Sequence, residues 1–231
     1  MRIKALVKFS IIDYPGKIAS LLFTGGCNMR CPFCQNPELV ATPQALPDIP
    51  PEQVLRFLEQ RRGLVDGVVI SGGEPTLQPD LPELLRQIKA LWFAVKLDTN
   101  GYLPDVLAAL LADRLVDYVA MDIKSTLAKY SLAAGLPVRT DLITESIALL
   151  LRGEVDYEFR TTVLPDLLAP DDIPALAELL HGARRYYLQQ FRADATLDPA
   201  WQDKTPYPLA TLQDMARALC ALGIPTEVRG G

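Results

Sequence analysis

Cysteine and long apolar runs are both scarce in this sequence, and each scarcity excludes a class of protein. Four cysteines, three of them within eight residues, do not form the dispersed disulfide framework of a small secreted domain. No stretch approaches the ~18 consecutive apolar residues of a membrane span. The N-terminal apolar run is broken at Lys8, Asp13 and Pro15, unlike a secretory signal. We therefore expect a cytoplasmic protein that has no membrane association and keeps its thiols reduced.

Blocks of lysine and arginine are also absent. The net charge of −5 comes from 28 acidic and 23 basic side chains, a balance that gives no overall field to attract nucleic acid or an anionic membrane. We expect no nucleic-acid partner. Apolar residues, by contrast, make up 49% of the chain, which is ample for a large core and argues against disorder.

From residue 18 onward, short apolar runs alternate with segments of helical periodicity. The apolar runs are nearly continuous, as in strands that are buried on both faces of a parallel sheet. The segments between them carry apolar residues at helical spacing, and several begin at helix-starting residues such as Asp80 or Pro104. The pattern predicts strands at 18–23, 67–71, 93–98, 116–123, 157–164 and 186–191, with a last candidate strand at 226–229, and helices at 52–62, 81–91, 104–112, 141–153, 173–182 and 209–223.

Six strands that alternate with six helices predict an α/β fold built on a parallel sheet with right-handed crossovers. A closed eight-stranded barrel typically needs ~250 residues, so a chain of 231 residues suits a six-stranded, incompletely closed (β/α)6 barrel of the TIM type. A doubly wound open sheet is the alternative. We expect one domain over residues 1–231, in which residues 1–17 form an N-terminal segment that leads into a partial barrel at 18–231.

The chemically unusual residues follow the ends of the predicted strands, where α/β barrels assemble their active sites. The cysteine loop follows the first strand, "SGGEPTLQ" the second and "LDTNG" the third. "MDIKS" ends the fourth strand, Arg160 and Thr162 lie in the fifth, and Gln189 and Gln190 lie in the sixth. This convergence predicts a single site at one mouth of the barrel.

Cys27, Cys31 and Cys34 have the spacing C-x3-C-x2-C, which brings three thiolates onto one short loop. A structural zinc site requires four ligands, and both candidates for a fourth are poor. Cys220 occupies an apolar helix, where small buried cysteines are usually inert, and His181, the only histidine, lies near a helix end. A [4Fe–4S] cluster held by three cysteines fits better than zinc or a plain thiol loop, because it leaves one iron open to an outside ligand.

The motif after the second predicted strand suits a small chelating ligand that carries an amine and a carboxylate. In "SGGEP", Gly72 and Gly73 allow the backbone to approach a ligand closely. Glu74 offers a negative charge to an ammonium group, and Pro75 stiffens the turn. The alternative interpretation is an ordinary strand-end turn with a capping glutamate.

Oxygen-bearing and charged side chains follow the next two predicted strands. Asp98, Thr99 and Asn100 present oxygens suited to a ribose or a cation. Asp122 and Lys124 are separated by one residue and therefore face the same side of their strand. A lone pair of this kind is usually a surface ion pair, but its position at the common mouth favours a binding role.

These residues resemble a known family. "CNMRCPFC", with Phe33 before the third cysteine, is similar to the signature of the radical S-adenosylmethionine enzymes. The upstream "FSIIDYPGKIASLLFTGGCN" resembles the corresponding segment of activating enzymes for glycyl-radical proteins, and "SGGEPTLQ", "LDTNG" and "DIKS" resemble their cofactor-binding motifs in the same order. Within this group the sequence is most similar to activating proteins of the anaerobic ribonucleoside-triphosphate reductase.

The resemblance implies a cofactor site. Cys27, Cys31 and Cys34 would hold a [4Fe–4S] cluster, and the amine and carboxylate of S-adenosylmethionine would chelate its fourth iron. It also implies a monovalent cation near Asp98 and Asp122. The implied cofactor-binding residues are Phe33, Gly72, Gly73, Glu74, Pro75, Asp98, Thr99, Asn100, Asp122, Lys124, Arg160, Thr162 and Gln190.

The resemblance also implies the reaction. An electron from a donor such as flavodoxin or ferredoxin enters the cluster and S-adenosylmethionine is cleaved reductively. The resulting 5′-deoxyadenosyl radical takes a hydrogen atom from a glycine of the partner glycyl-radical enzyme. No side chain is expected to act as a general base, since the cofactor carries the chemistry. Four cysteines leave too few ligands for a second cluster.

One departure from the family pattern and two alternative functions stay open. Pyruvate formate-lyase activators have a histidine near the end of the sixth strand, where this chain has Gln189, Gln190 and Phe191. A radical S-adenosylmethionine enzyme that acts on a small or nucleotide-like molecule would need further polar contacts in the barrel. A non-catalytic metal-binding or electron-transfer protein would not need the three strand-end motifs, which therefore argue against it.

Overall fold

A single eight-stranded sheet organises the protein in the computed structural model, which describes residues 1–230. The strands lie side by side in chain order, with the first strand antiparallel to the second and all later neighbours parallel. Because parallel neighbours are joined by helical crossovers, the carboxyl ends of these strands all lie at the same end of the sheet. The strands are β1 (Ile3–Ser10), β2 (Ala19–Thr24), β3 (Gly67–Gly72), β4 (Ala94–Thr99), β5 (Tyr118–Asp122), β6 (Asp156–Val163), β7 (Tyr186–Gln190) and β8 (Thr226–Arg229).

Eight helices connect the strands. The six longest correspond to the six helices that the periodicity predicts, and most begin with proline in the first turn, where its missing N–H costs nothing. Two one-turn helices were not predicted. The helices are α1 (Pro37–Ala41), α2 (Pro51–Glu59), α3 (Leu81–Ala90), α4 (Pro104–Ala112), α5 (Tyr130–Ala134), α6 (Thr140–Leu151), α7 (Ile173–Leu179) and α8 (Leu209–Ala221). No helix within residues 1–230 is long and apolar enough to cross a membrane.

The sheet confirms the six predicted strands as β2–β7, and the candidate strand at 226–229 is β8. The predicted count of six is too low. The missed strand, β1, lies in the segment 1–17 and is half exposed, so it lacks the continuous apolar run of a central strand. Strands β1 and β8 form the two edges, and no ladder within the described residues joins them.

Two apolar clusters cover the two faces of the sheet. The larger fills the space between the sheet and the helices. The smaller lies on the opposite face, near the beginnings of the parallel strands, and contains Tyr14, Ala19, Leu21, Val69 and Tyr118. Along this inner face the side chains become polar toward the strand ends, as from Ala94 to Lys96 and Asp98 in β4. The apolar layer therefore closes the interior below a polar cavity.

Candidate active site

A cavity of about 340 Å³ lies at the carboxyl ends of the parallel strands. Strands β3–β7, or the residues directly after them, and the loop after β2 contribute to its wall. The predicted convergence of the strand-end motifs is thus present in the structure. The predicted residues that line the cavity are Cys27, Cys31, Phe33, Cys34, Gly72, Gly73, Glu74, Asp98, Thr99, Asn100, Asp122, Lys124, Arg160 and Thr162.

Two predicted residues are not part of the cavity wall. Pro75 is buried in the turn that follows β3. Gln190 lies in β7, and its amide donates a hydrogen bond to the Tyr207 carbonyl at 3.0 Å. Its neighbour Gln189 lines the cavity instead, because successive side chains of a strand point to opposite faces.

Sequence reasoning also missed several residues of the wall. Asp13, in the turn between β1 and β2, reaches the same cavity as the cysteines. Its signal was weak, since the sequence marked it only as a break in an apolar run. Ser71 stands inside the "SGGEP" motif but was given no role. The other unpredicted lining residues are Met29, Gln35, Asn36 and Val40.

The cysteine loop is fixed by backbone hydrogen bonds to four different segments. The Gly26 N–H donates to the Leu39 carbonyl at 2.8 Å, and the Glu74 N–H donates to the Gly26 carbonyl at 2.8 Å. Arg30 donates to Ala134 of α5 at 2.8 Å, and Asp198 donates to Pro32 at 3.0 Å. These contacts hold the three thiols in place through the protein scaffold.

The two glycines of "SGGEP" are required by packing against this loop. A Cβ on Gly73 would lie 2.0 Å from the Gly26 carbonyl oxygen. Gly72 has a φ of +121°, and a Cβ there would lie 2.2 Å from the Thr24 nitrogen. The close approach inferred from the sequence is present, but the neighbour is the backbone of β2 and the cysteine loop.

We expect Gly73→Ala to displace Gly26 and, with it, Cys27. Overpacking against rigid backbone should lower the free energy of unfolding by about 3 kcal/mol and reduce the iron bound after reconstitution. Gly63→Ala is the matched control, because Gly63 also has a special conformation (φ +77°) but no atom within 4 Å of its added Cβ. Urea unfolding and iron analysis measure both effects. Full iron content in Gly73→Ala would contradict the packing argument.

Glu74 joins the loops that follow β3 and β4. Its side chain is 1% exposed and accepts hydrogen bonds from the Thr76 N–H at 3.1 Å, the Thr76 hydroxyl at 2.6 Å, the Thr99 hydroxyl at 2.7 Å and the Asn100 N–H at 2.7 Å. Burial raises the pKa of Glu74, while these hydrogen bonds act in the opposite direction. The hydrogen bond from the Thr76 N–H is the strand-end cap of the alternative sequence interpretation, whereas the bonds from Thr99 and Asn100 were not predicted.

A network of partly buried charges forms the floor of the cavity. The Arg160 guanidinium donates to Asp122 at 2.9 Å and to Asp98 at 3.4 Å. The Lys124 ammonium donates to Asp122 at 3.1 Å, which is the ion pair that the alternative interpretation of this spacing describes. Asp98 also accepts from Ser71 at 3.1 Å, and Lys96 donates to it from below. Such pairs are stable when buried only if each charge keeps its partner.

The cationic neighbours lower the pKa of both aspartates. Burial raises the pKa of Asp122, but the attraction of Arg160 and Lys124 outweighs it and brings the pKa to about 2. Burial acts on Asp98 in the same way, and Arg160 and Lys96 again reverse the effect, so its pKa lies below the usual value. Both carboxylates are therefore ionised at neutral pH.

The low pKa of Asp122 should make the protein sensitive to acid. A carboxylate whose folded pKa is depressed stabilises the fold above its unfolded pKa of 3.8, and this contribution is lost as the pH falls through about 2. The shift corresponds to about 2 kcal/mol. Urea unfolding of the cluster-free protein between pH 2 and 6 should therefore show a shallower slope for Asp122→Asn than for wild type. Asp105→Asn, at an exposed carboxylate, should keep the wild-type slope, and equal slopes for all three proteins would contradict the assignment.

Burial disfavours the thiolate form of two cysteines in the loop, Cys27 and Cys31. Burial raises the pKa of Cys27 to about 12, although the Met29 N–H donates to its sulfur at 3.3 Å and acts in the opposite direction. Burial also raises the pKa of Cys31. Metal coordination deprotonates a thiol, so binding of iron to this loop must release protons.

The comparison with known proteins places this site in a family. The profile of the Radical SAM superfamily matches residues 21–180, which is more than half of the chain and includes the cysteine loop and the three strand-end motifs. The chain belongs to the radical SAM superfamily. Membership implies a [4Fe–4S] cluster and S-adenosylmethionine as cofactors.

Relatives and solved structures agree with this membership. A Methanocaldococcus jannaschii protein named as a glycyl-radical enzyme activating enzyme is 34% identical and aligns with 89% of this chain and 86% of its own length. The pyruvate formate-lyase-activating enzyme of Clostridium pasteurianum is 32% identical over 44% of each chain. Streptococcus suis SuiB bound to its precursor peptide SuiA superposes with a TM-score of 0.71 at 16% identity, covering 91% of this chain and 48% of SuiB. The last likeness shows a shared fold, and this chain spans about half the length of SuiB.

The donors around the cysteine loop of this radical SAM protein fit an iron–sulfur cluster. No three acidic, cysteine or histidine side chains within residues 1–230 are placed to share one metal ion, but a four-iron cluster needs no such convergence because each cysteine ligates a different iron. Beside Cys27, Nδ2 of Asn28 is buried without a partner among the described residues. The Asn100 amide lies 3.9 Å from the Cys27 sulfur. Amide donors of this kind suit sulfide and thiolate acceptors.

Proposed function

We propose that this protein is an activating enzyme that acts on a glycine of a glycyl-radical enzyme, and that its substrate protein is the anaerobic ribonucleoside-triphosphate reductase. The cavity that joins the three-cysteine loop to the strand-end polar residues carries the proposal. The relative that is 34% identical over 89% of this chain supports the choice of substrate class. The reductase as the specific partner rests on the resemblance of the sequence motifs.

Side chains of the cavity would bind and orient the cofactors. When bound, the cluster and S-adenosylmethionine would supply the radical chemistry that removes a hydrogen atom from the substrate glycine. Cys27, Cys31 and Cys34 would ligate the cluster. Arg160 and Lys124 offer positive charge to a carboxylate, and the apolar layer below the cavity excludes water from the reacting atoms.

Phe33 would provide an apolar wall for the adenine. Phe33 is 5% exposed, and the centroid of its ring lies 6.2 Å from that of the Trp201 ring, which packs against it. Aromatic surfaces of this kind suit a planar heterocycle. No group in the cavity needs to act as a general base.

We also propose that the whole chain, residues 1–231, is one domain whose parallel strands curve into an incomplete barrel. Strands β3–β7 contribute to one cavity, and Arg160 of β6 reaches Asp98 of β4 across the intervening strand. The six-stranded count of the sequence interpretation is replaced by the eight strands observed. A flavodoxin or ferredoxin would supply the electron, and the cytoplasm is the proposed location.

Turnover of S-adenosylmethionine tests the proposed function. The protein is reconstituted anaerobically with iron and sulfide, reduced with dithionite and assayed for 5′-deoxyadenosine with and without the reductase. We expect product with the reductase and less without it. A reductase in which the radical-bearing glycine is replaced by alanine is the matched control. Absence of 5′-deoxyadenosine from protein with an intact cluster would refute catalysis, and equal product with both reductases would point to a different substrate.

A further inference from the structure

Lys96 is a buried lysine on β4 that has no role in the proposed function. It is 2% exposed and lies on the inner face of the sheet, two residues before Asp98. Its ammonium donates to Asp98 Oδ1 at 2.5 Å and lies 6.0 Å from the centre of the Tyr118 ring. Among the described residues, Asp98 is its only hydrogen-bond acceptor. A buried lysine with one carboxylate partner and one aromatic face is fixed in position by both.

The negative charges of Asp98 and Asp122 are already more than balanced by cationic side chains of the protein. Lys96, Arg160 and Lys124 place three positive charges against these two carboxylates. All four carboxylate oxygens accept hydrogen bonds: Asp98 from Lys96, Ser71 and Arg160, and Asp122 from Arg160 and Lys124.

A monovalent metal ion does not fit this arrangement. The ion implied by the family resemblance would add a fourth positive charge beside the two aspartates, where the three cationic side chains would repel it. It would also have to take its oxygen ligands from carboxylates that already serve as hydrogen-bond acceptors. The donors present in this chain thus disagree with the expected ion.

We propose that the Lys96 ammonium is a built-in cation that replaces a bound monovalent metal ion beside Asp98 and holds this carboxylate in the orientation that faces the cavity. Lys96 is then a positioning residue, which acts on the cofactor site through Asp98. The alternation of the strand supports the role, because Lys96 and Asp98 share one face and the ammonium approaches the carboxylate from the closed end of the cavity. Because the cation is part of the protein, no ion from solution is needed. The stability of the protein and its affinity for S-adenosylmethionine should therefore not depend on potassium.

Removal of the Lys96 ammonium should create a need for an ion. In Lys96→Met, Asp98 keeps Arg160 and Ser71 but loses the charge below it, and the space left can admit a dehydrated potassium ion. We expect 100 mM potassium chloride, compared with N-methylglucamine chloride at equal ionic strength, to raise the melting temperature of cluster-free Lys96→Met by about 3 °C and that of wild type not at all. Thallium-205 resonance, with thallium as a potassium substitute, should show a bound ion in the variant only.

A matched variant separates this effect from the loss of any lysine–aspartate pair. The Lys89 ammonium lies 2.6 Å from an Asp117 carboxylate oxygen, and neither residue lines the cavity. The stability of Lys89→Met should therefore respond to potassium as that of wild type does. Potassium-specific stabilisation or thallium binding in wild type would overturn the proposal, as would a folded Lys96→Met that ignores potassium. If Lys96→Met does not fold, Lys96→Gln takes its place, and the wild-type measurement remains decisive by itself.

The ion measurements use cluster-free protein and need no turnover. Their result therefore stands whether or not a protein glycine is the substrate. A second readout links the role to the cofactor site: potassium should restore S-adenosylmethionine binding to reconstituted Lys96→Met and leave the affinity of wild type unchanged. Equal affinity of both proteins without potassium would contradict the positioning role.

Discussion

Replacement of Cys31 by alanine should abolish both cluster binding and the cleavage of S-adenosylmethionine. Cys31 is the middle ligand of the loop and is 7% exposed. The variant keeps only two of the three thiols that would ligate the cluster, and no other cysteine lines the cavity to replace the third. We expect 5′-deoxyadenosine formation to fall at least 10³-fold, which corresponds to about 4 kcal/mol of lost catalysis. Iron content, visible absorbance and product analysis measure the effect.

Cys220→Ala is the control for this substitution. Cys220 lies on α8, is exposed, and does not contribute to the cavity. The variant should keep the full cluster content and turnover of wild type. Retention of a [4Fe–4S] cluster and of turnover in Cys31→Ala would show that the three-cysteine loop is not the cluster site.

Replacement of Arg160 by methionine should have the largest effect on folding. The Arg160 side chain is 14% exposed and is the only group that bonds to both Asp98 and Asp122 among the described residues. Its removal leaves two partly buried carboxylates with less positive charge beside them, which should cost about 3 kcal/mol, the lower end of the range for breaking a buried pair. The affinity for S-adenosylmethionine should fall as well. Urea unfolding of the cluster-free protein and calorimetric titration of the reconstituted protein measure the two effects.

Arg86→Met is the matched control for Arg160→Met. Arg86 is 52% exposed and pairs with Asp113 on the surface at 3.0 Å, so its replacement should cost less than about 1 kcal/mol. The double variant Arg160→Met with Asp98→Asn should be less destabilised than the sum of its parts, because the second change removes the charge that the first leaves unpaired. Equal stability of Arg86→Met and Arg160→Met would contradict the role of the network.

The sequence predicted the central strands and the site because both depend on local signals. Nearly continuous apolar runs identify parallel strands buried on both faces, and fixed topology then brings their ends together. The edge strand β1 was missed, because a half-exposed strand has no such run. Cys220 was expected to be buried in an apolar helix, but it faces solvent one position beyond the buried Leu219.

The unpredicted parts of the site depend on contacts between distant segments. The choice between Gln189 and Gln190 follows from the phase of β7, and the sequence does not give this phase. The hydrogen bonds that Thr99 and Asn100 donate to Glu74 join two loops, and the motifs do not give the distance between these loops. Lys96 belongs to no motif, and its proposed role follows only from its position beneath Asp98, to which it donates a hydrogen bond.

The hydrogen atom of the substrate glycine can be followed directly by isotope labelling. The reconstituted protein is mixed anaerobically with dithionite, S-adenosylmethionine and a reductase that carries glycine deuterated at the α-carbon, and the mixture is examined by electron paramagnetic resonance and mass spectrometry. We expect a glycyl radical signal on the reductase and one deuterium in the 5′-deoxyadenosine that forms. A product without deuterium, together with a reductase that shows no radical, would contradict hydrogen abstraction from a protein glycine.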